Sequence, residues 1–155
     1  MTYEQIKLSN QLCHPLYSAT NALMRIYKPL LSRIGITYPQ YLVMMALWEQ
    51  DKCNINTLSE MTYFDSGTLT PLLKKLCDLN FITIKTDKED KRQKIISLTT
   101  KGLNLKEKAK DIPKDLICMV DVSKHDLINL KSLLETLHSK IVQIESIQKK
   151  CLFDK

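Results

Sequence analysis

The sequence predicts a mainly helical protein carrying one small β-hairpin. Apolar residues recur at steps of three and four along most of the chain, and only three glycines and five prolines interrupt stretches rich in Leu, Ile, Lys and Glu. Only two short runs, 81–86 and 94–98, turn to β-branched residues. With 155 residues and 44% hydrophobic content, the chain suffices for one packed domain, with or without an oligomerisation arm.

The elements follow in order. Leu12, Leu16, Ala19, Leu23, Ile26 and Leu30 form the stripe of a long first helix, which Pro29 kinks or ends before Gly35 closes the segment. Tyr38 to Glu49 reads as a second helix, with Pro39 in its first turn and Tyr41, Leu42, Met45, Leu47 and Trp48 supplying core contacts. Thr57-Leu58-Ser59-Glu60 has the capping-box pattern, and Ile55, Leu58 and Met61 mark a short third helix.

A break over 63–67 precedes a fourth helix with Leu69, Leu72, Leu73, Leu76 and Leu79 on one face. Its start is open: Pro71 is tolerable if Thr68 is the cap and costs a hydrogen bond if Asp65 is. The β runs then flank a charged segment, 87–93, as a hairpin with a polar tip. Thr99 and Thr100 can cap a fifth helix reaching about Ile112, where Pro113 bends or interrupts a path continuing towards Met119. Ser123 and Asp126 suit a capping box for a last helix through Leu127, Leu130, Leu134, Leu137, Ile141, Ile144 and Ile147 or Gln148.

The apolar stripes of the terminal helices predict packing against each other and a second subunit. Residues 1–35 and 100–155 accordingly read as a dimerisation region around a domain spanning 36–99.

Lys and Arg outnumber Asp and Glu by 23 to 17, a net charge of +6 that suits a polyanionic partner only weakly until its placement is considered. The first residues lack a basic region followed by an apolar stretch, and no apolar run approaches a membrane span, so the expectation is a soluble, cytoplasmic protein without a membrane partner. The five cysteines, Cys13, Cys53, Cys77, Cys118 and Cys151, are odd in number and scattered, which supports neither a disulfide framework nor a metal site; no cofactor is expected.

Helix, helix, charged hairpin is the winged helix-turn-helix order, in which one helix braces, the next enters the major groove of duplex DNA and the hairpin reaches sideways. Opposite the leucine face, Ser66, Thr68, Thr70, Lys74 and Lys75 offer hydroxyls and ammonium groups to phosphates and base edges. The hairpin carries Lys88, Asp90, Lys91, Arg92 and Lys94. Arg92 suits a minor groove, and Asp90 is placed to orient it through a carboxylate–guanidinium pair. A solvated turn of alternating charge is the bland reading of the hairpin alone; joined to the preceding helix pair, DNA contact is the stronger one.

Asp90-Lys91-Arg92-Gln93-Lys94-Ile95-Ile96-Ser97-Leu98-Thr99 resembles the D-x-R...L-T wing of MarR-family regulators. Leu12-Cys13, Tyr27-Lys28-Pro29-Leu30-Leu31, 36–42 and 65–76 are similar to the organic hydroperoxide resistance branch of that family, in its two-cysteine type. The likeness runs from Leu12 to Pro113 and fades in the last helix. It implies a homodimeric, non-enzymatic repressor of palindromic operator DNA with half-sites about one turn, ~34 Å, apart.

It also implies a peroxide-sensing cysteine, here Cys13, held by tyrosine hydroxyls at Tyr27 and Tyr38. The late cysteine Cys118 of the other subunit would resolve it as a disulfide. A thiol in a helix's first turn next to phenols is favoured as thiolate, although a lone helical cysteine is more often a small packing residue. Cys53 reads as loop, Cys77 as packing, Cys151 as tail, His14 as surface and Tyr17 as core. The expected signal is an organic hydroperoxide; the competing expectation is a phenolic or drug-like ligand with Cys13 incidental.

Overall fold

The computed structural model of the chain describes residues 3–87 and 89–153, the side chains of 146 and 148–153 excepted. Seven α-helices, α1 Cys13–Ser32, α2 Tyr38–Glu49, α3 Ile55–Thr62, α4 Ser66–Asp78, α5 Thr100–Ala109, α6 Ile112–Val120 and α7 Lys124–Phe153, accompany three strands and two short 3₁₀ helices among the described residues. The strands, β1 Cys53–Asn54, β2 Ile82–Thr86 and β3 Lys94–Leu98, form an antiparallel sheet in the order β1-β3-β2. The chain divides into two compact units, Met1–Leu116 and Ile117–Lys155.

The predicted fold class, mainly helical with a winged hairpin, is the observed one. Within the first unit, α2 is central: Tyr41, Val43, Met44, Ala46 and Leu47 are all buried, so this helix is covered on nearly every side. Around it close Leu31 from α1, Leu58 from α3, Leu69 and Leu76 from α4, and Ile82 and Ile96 from the sheet, all at most 2% exposed. Thr37 and Gln40 form a capping box at the start of α2, and Pro39 stands in its first turn as expected.

Several boundaries differ from expectation for local reasons. Pro29 does not end α1, which runs on to Ser32. The helix stops instead in a Schellman turn, in which Ile36 N–H donates to Leu31 O, Gly35 N–H donates to Ser32 O, and Gly35 takes a positive φ of 75°. The same device closes α4, with Asn80 in the left-handed region and Phe81 N–H bonded to Leu76 O. Helix α3 begins two residues before the Thr57 box, because Asn54 is its cap and accepts the Thr57 N–H at 2.9 Å.

The two candidate starts of α4 resolve in favour of Asp65, whose side chain accepts the Thr68 N–H, so Pro71 stands inside the helix. Helix α5 ends at Ala109, short of Ile112, and Ile112 starts α6 with Pro113 tolerated in its first turn. Cys53, expected in a loop, is a buried strand residue opposite Ile96.

Two contacts tie α2 and the loop after it to α5 and to the end of β3. Trp48 Nε1 donates to Gly102 O at 2.9 Å, and Asp51 Oδ1 accepts the Leu98 N–H at 2.8 Å. Gly102 is itself held by Thr99 Oγ1 and packs so closely on the Phe81 carbonyl that a Cβ there would lie 2.0 Å from its oxygen. In the second unit, Ser123 caps α7 by accepting the Asp126 N–H and donating to its carboxylate, the expected box. That helix leaves Ile128, Leu130, Leu133, Ile141, Val142 and Ile144 exposed on this chain. No described helix is long and apolar enough to cross a membrane.

Candidate nucleic-acid interface and thiol site

Helix α4 turns its leucines inward and its polar residues outward. Leu69, Leu73 and Leu76 are buried, whereas Ser66, Thr68, Thr70, Lys74 and Lys75 are all exposed, away from the leucine stripe. The cap sets its start: Asp65 takes the Thr68 N–H at 2.8 Å and the Thr68 hydroxyl at 2.7 Å, and these bonds hold its carboxyl below the usual carboxylate range. Gly67 leaves room for that carboxylate, since a Cβ there would lie 2.9 Å from Asp65 Oδ1. The Thr70 hydroxyl donates to Ser66 O and retains its capacity to accept.

The α3–α4 turn is tight. Tyr63 adopts a left-handed conformation, and the Ser59 hydroxyl donates to the Phe64 carbonyl across it. Beside this helix pair stands the hairpin, with Ile82 opposite Leu98 and Thr86 opposite Lys94. Asp90, Lys91, Arg92 and Lys94 are exposed on it; Lys88 lies outside the described residues.

The expected Asp90–Arg92 ion pair is not formed. Asp90 Oδ1 instead accepts the Arg92 backbone N–H at 2.9 Å, and Oδ2 accepts Gln93 Nε2 at 3.2 Å. The carboxylate shapes the turn, and no carboxylate pairs with the Arg92 guanidinium among the described residues. A cleft of about 370 Å³ separates wing from helices, lined by Asn54, Ile55, Asn56, Thr70, Leu73, Ile84, Arg92, Gln93, Lys94 and Ile96. Asn54, Asn56 and Gln93 escaped the sequence reading. Their one sequence signal is Asn54 standing three residues before Thr57, itself a capping spacing.

Cys13 is the first residue of α1 and is exposed. Tyr27 lies 14 positions further along the same helix, about 21 Å away at 1.5 Å per residue, beyond the reach of any side chain. The predicted trio is therefore not assembled within one chain. Tyr27 and Tyr38 do meet, ring centroids 4.7 Å apart, and Tyr41 adds a third ring 6.3 Å from Tyr27 and 6.1 Å from Trp48.

Burial first, then the neighbouring phenols, push Tyr27 up to about 12; burial raises Tyr38 and Tyr41 too. These phenols stay protonated at neutral pH, able to donate. Cys118 is exposed on α6 rather than packed in a core. Cys77 packs half-buried against the core as expected, and the Cys151 side chain lies outside the described residues. Tyr17, expected in the core, is 72% exposed on this chain. No group of side chains among the described residues is arranged to hold a metal ion.

A capped helix with a polar outward face, braced by α3 and flanked by a basic hairpin, defines a winged helix-turn-helix protein. A family model described as the transcriptional regulator SarA/Rot matches residues 25–109. The chain is 46% identical over 142 residues to the organic hydroperoxide resistance transcriptional regulator of Bacillus subtilis, covering 89% of this chain and 97% of that one.

Among solved structures, it is similar to reduced AbfR bound to DNA (TM-score 0.76, 31% identity, 93% of this chain and 99% of that one). It is also similar to AbfR in its disulfide form (TM-score 0.60, 32% identity, 86% and 94%); AbfR is a protein of Staphylococcus epidermidis. The chain belongs to the MarR-type SarA/Rot family of transcriptional regulators, on the organic hydroperoxide resistance branch.

Proposed function

We propose that this protein is a homodimeric, cytoplasmic repressor that holds palindromic operator DNA while Cys13 is reduced and releases it when an organic hydroperoxide oxidises Cys13. The observation that carries the DNA reading is the outward face of α4, with Ser66, Thr68, Thr70, Lys74 and Lys75 exposed beside a hairpin bearing Lys91, Arg92 and Lys94. Hydroxyls and cations on one face match phosphates and base edges, and the basic hairpin matches a flanking minor groove. Asp90 belongs to the same interface by shaping the turn. The relatives are transcriptional regulators, and AbfR has been solved on DNA in its reduced form.

Dimerisation is supported by the apolar side chains that α7 leaves exposed, which a second copy would cover. Residues 1–35 and 100–155 supply that contact in this reading, and 36–99 the DNA-binding domain. A dimer also supplies what one chain lacks. Cys13 and Tyr27 are about 21 Å apart on one helix, so the Tyr27 and Tyr38 hydroxyls that hold the Cys13 sulfur come from the partner subunit.

In the sensing step, the Cys13 thiolate attacks the distal hydroperoxide oxygen. The O–O bond breaks, the alcohol leaves with a proton, and Cys13 becomes a sulfenic acid. The Cys118 thiol of the partner subunit then displaces hydroxide from that sulfur, giving a disulfide and water. The cross-link shifts the two reading heads out of register with their half-sites, at a cost of several kcal/mol in operator binding (about 4–10 kcal/mol separates specific from non-specific binding).

The test is a gel shift on the gene's own upstream DNA with and without cumene hydroperoxide, followed by non-reducing electrophoresis. Wild type should bind, release on oxidation and run as a cross-linked dimer. Cys13→Ser should bind and ignore peroxide, and Cys118→Ser should be oxidised without cross-linking. Release of DNA from Cys13→Ser by peroxide would end the redox reading.

A second reading is favoured by the cleft of about 370 Å³ under the wing, within the size range of small-ligand sites and floored by Ile55, Leu73, Ile84 and Ile96. A phenolic or drug-like molecule seated there would displace Arg92 and release DNA with Cys13 untouched. Ligand-induced release that persists in Cys13→Ser would favour it.

A further inference from the structure

Hydrogen bonds at the wing run in one unbroken direction. Asp90 is acceptor-only when ionised, so the Gln93 amide must turn its NH₂ towards Asp90 Oδ2, at 3.2 Å. That leaves Gln93 Oε1 as the acceptor for Asn54 Nδ2, at 3.1 Å across 39 positions of sequence. Asn54 is thereby oriented with Oδ1 towards α3, where it accepts the Thr57 N–H at 2.9 Å and its hydroxyl at 3.2 Å. An acceptor at one end and a helix N–H at the other leave a single consistent orientation for both amides. The same carboxylate that anchors the chain takes the Arg92 N–H, and Gln93 N–H returns to Asp90 O.

We infer that Asn54 and Gln93 are positioning residues for DNA binding, a latch that joins the wing to the N-cap of α3 and holds Arg92 at a set distance from the α4 reading face. The inference rests on the DNA reading above. Arg92 lies on the rim of the cleft that also bears Asn54, Asn56 and Thr70, so the latch spans the gap between the two surfaces that must meet one duplex. A wing ordered before binding loses less conformational freedom on the DNA, and Arg92 meets its groove without a search.

Asn54→Asp tests this cleanly, because the carboxylate still caps α3 but cannot donate to Gln93; Gln93→Leu removes the other half. In the full-length reduced protein, each should weaken operator binding ~3- to 10-fold, the yield of one or two hydrogen bonds. The double variant should be no weaker than the weaker single, and neither substitution should matter in an Arg92→Ala background. Additive losses, undiminished losses in Arg92→Ala, or unchanged affinity would overturn the latch.

A second measurement needs no DNA. Hydrogen exchange at the Arg92 and Gln93 amides should quicken in Asn54→Asp while the Thr57 amide stays protected; unchanged exchange at the wing would overturn the proposal. Absence of salt-dependent operator binding by the wild-type protein would instead overturn the regulator reading beneath it.

Discussion

Cys13 opens helix α1 and Tyr27 stands some four turns further along it, so the thiol and the phenol that chemistry would pair are about 21 Å apart in one chain. The separation follows from helix rise alone and no side-chain rotation shortens it. If the two act together, they do so between subunits.

Mixed dimers test that arrangement. Tyr27→Phe homodimers should lose a hydrogen bond to a charged sulfur and oxidise about tenfold more slowly. A heterodimer of one Cys13→Ser chain and one Tyr27→Phe chain keeps its remaining Cys13 opposite an intact Tyr27, and should react at the wild-type rate per thiol. Stopped-flow oxidation by cumene hydroperoxide reads the difference, and slow oxidation of that heterodimer would place the contact within one chain.

The outward cations of the reading head should show in the salt dependence of binding. Lys74→Ala and Lys75→Ala should each lower the slope of log K against log salt by about 1 for every phosphate left without its cation, weakening all sequences alike. Arg92→Ala should weaken binding most on operators with A·T-rich flanks, where the minor groove narrows. Fluorescence anisotropy across a salt series checks both, and an unchanged slope in all three variants would remove α4 and the wing from the interface.

Gly102 is a close-packing point rather than a flexible one. A methyl group there would sit 2.0 Å from the Phe81 carbonyl oxygen, at the junction where Trp48 bonds to α5. Gly102→Ala should cost about 3 kcal/mol or more, measured by urea unfolding, whereas Gly35→Ala meets no neighbour within 4 Å and should suffer only from its positive φ.

Alkaline stability should depend on Tyr27. Its pKa rises from the ordinary 10.0 in the unfolded chain to about 12 in the native one, so the native state holds this proton more tightly. The stabilisation is intact below pH 10.0 and is lost as pH climbs towards about 12, where the unfolded chain ionises first. Urea midpoints across that window should fall less steeply for Tyr27→Phe than for wild type; parallel curves would show that the ring is not buried as described.

How much was legible in the residues differs by element. The leucine face of α4, the capping box of α7 and the β-branched hairpin were readable because each is a local pattern, repeated every few residues or completed within one turn. Pro29 misled because sequence reports its missing N–H but not the buried Leu30 and Leu31 that hold the helix together beyond it. Asp90 misled in the opposite way, since a carboxylate two residues from an arginine reads as an ion pair, while the backbone N–H of Arg92 was nearer to hand.

Periodicity, caps and charge placement thus determined the class of the molecule: helices, a wing, and an outward-facing row of hydroxyls and cations. The tertiary structure alone decided that Cys53 and Asn54 form a strand against β3, that Asn54 reaches Gln93, and that Cys13 stands apart from Tyr27 and Tyr38. The physical reason is range. A helix or a turn is stabilised by neighbours a few positions away, but strand pairing and side-chain junctions depend on partners that only the closed core brings near.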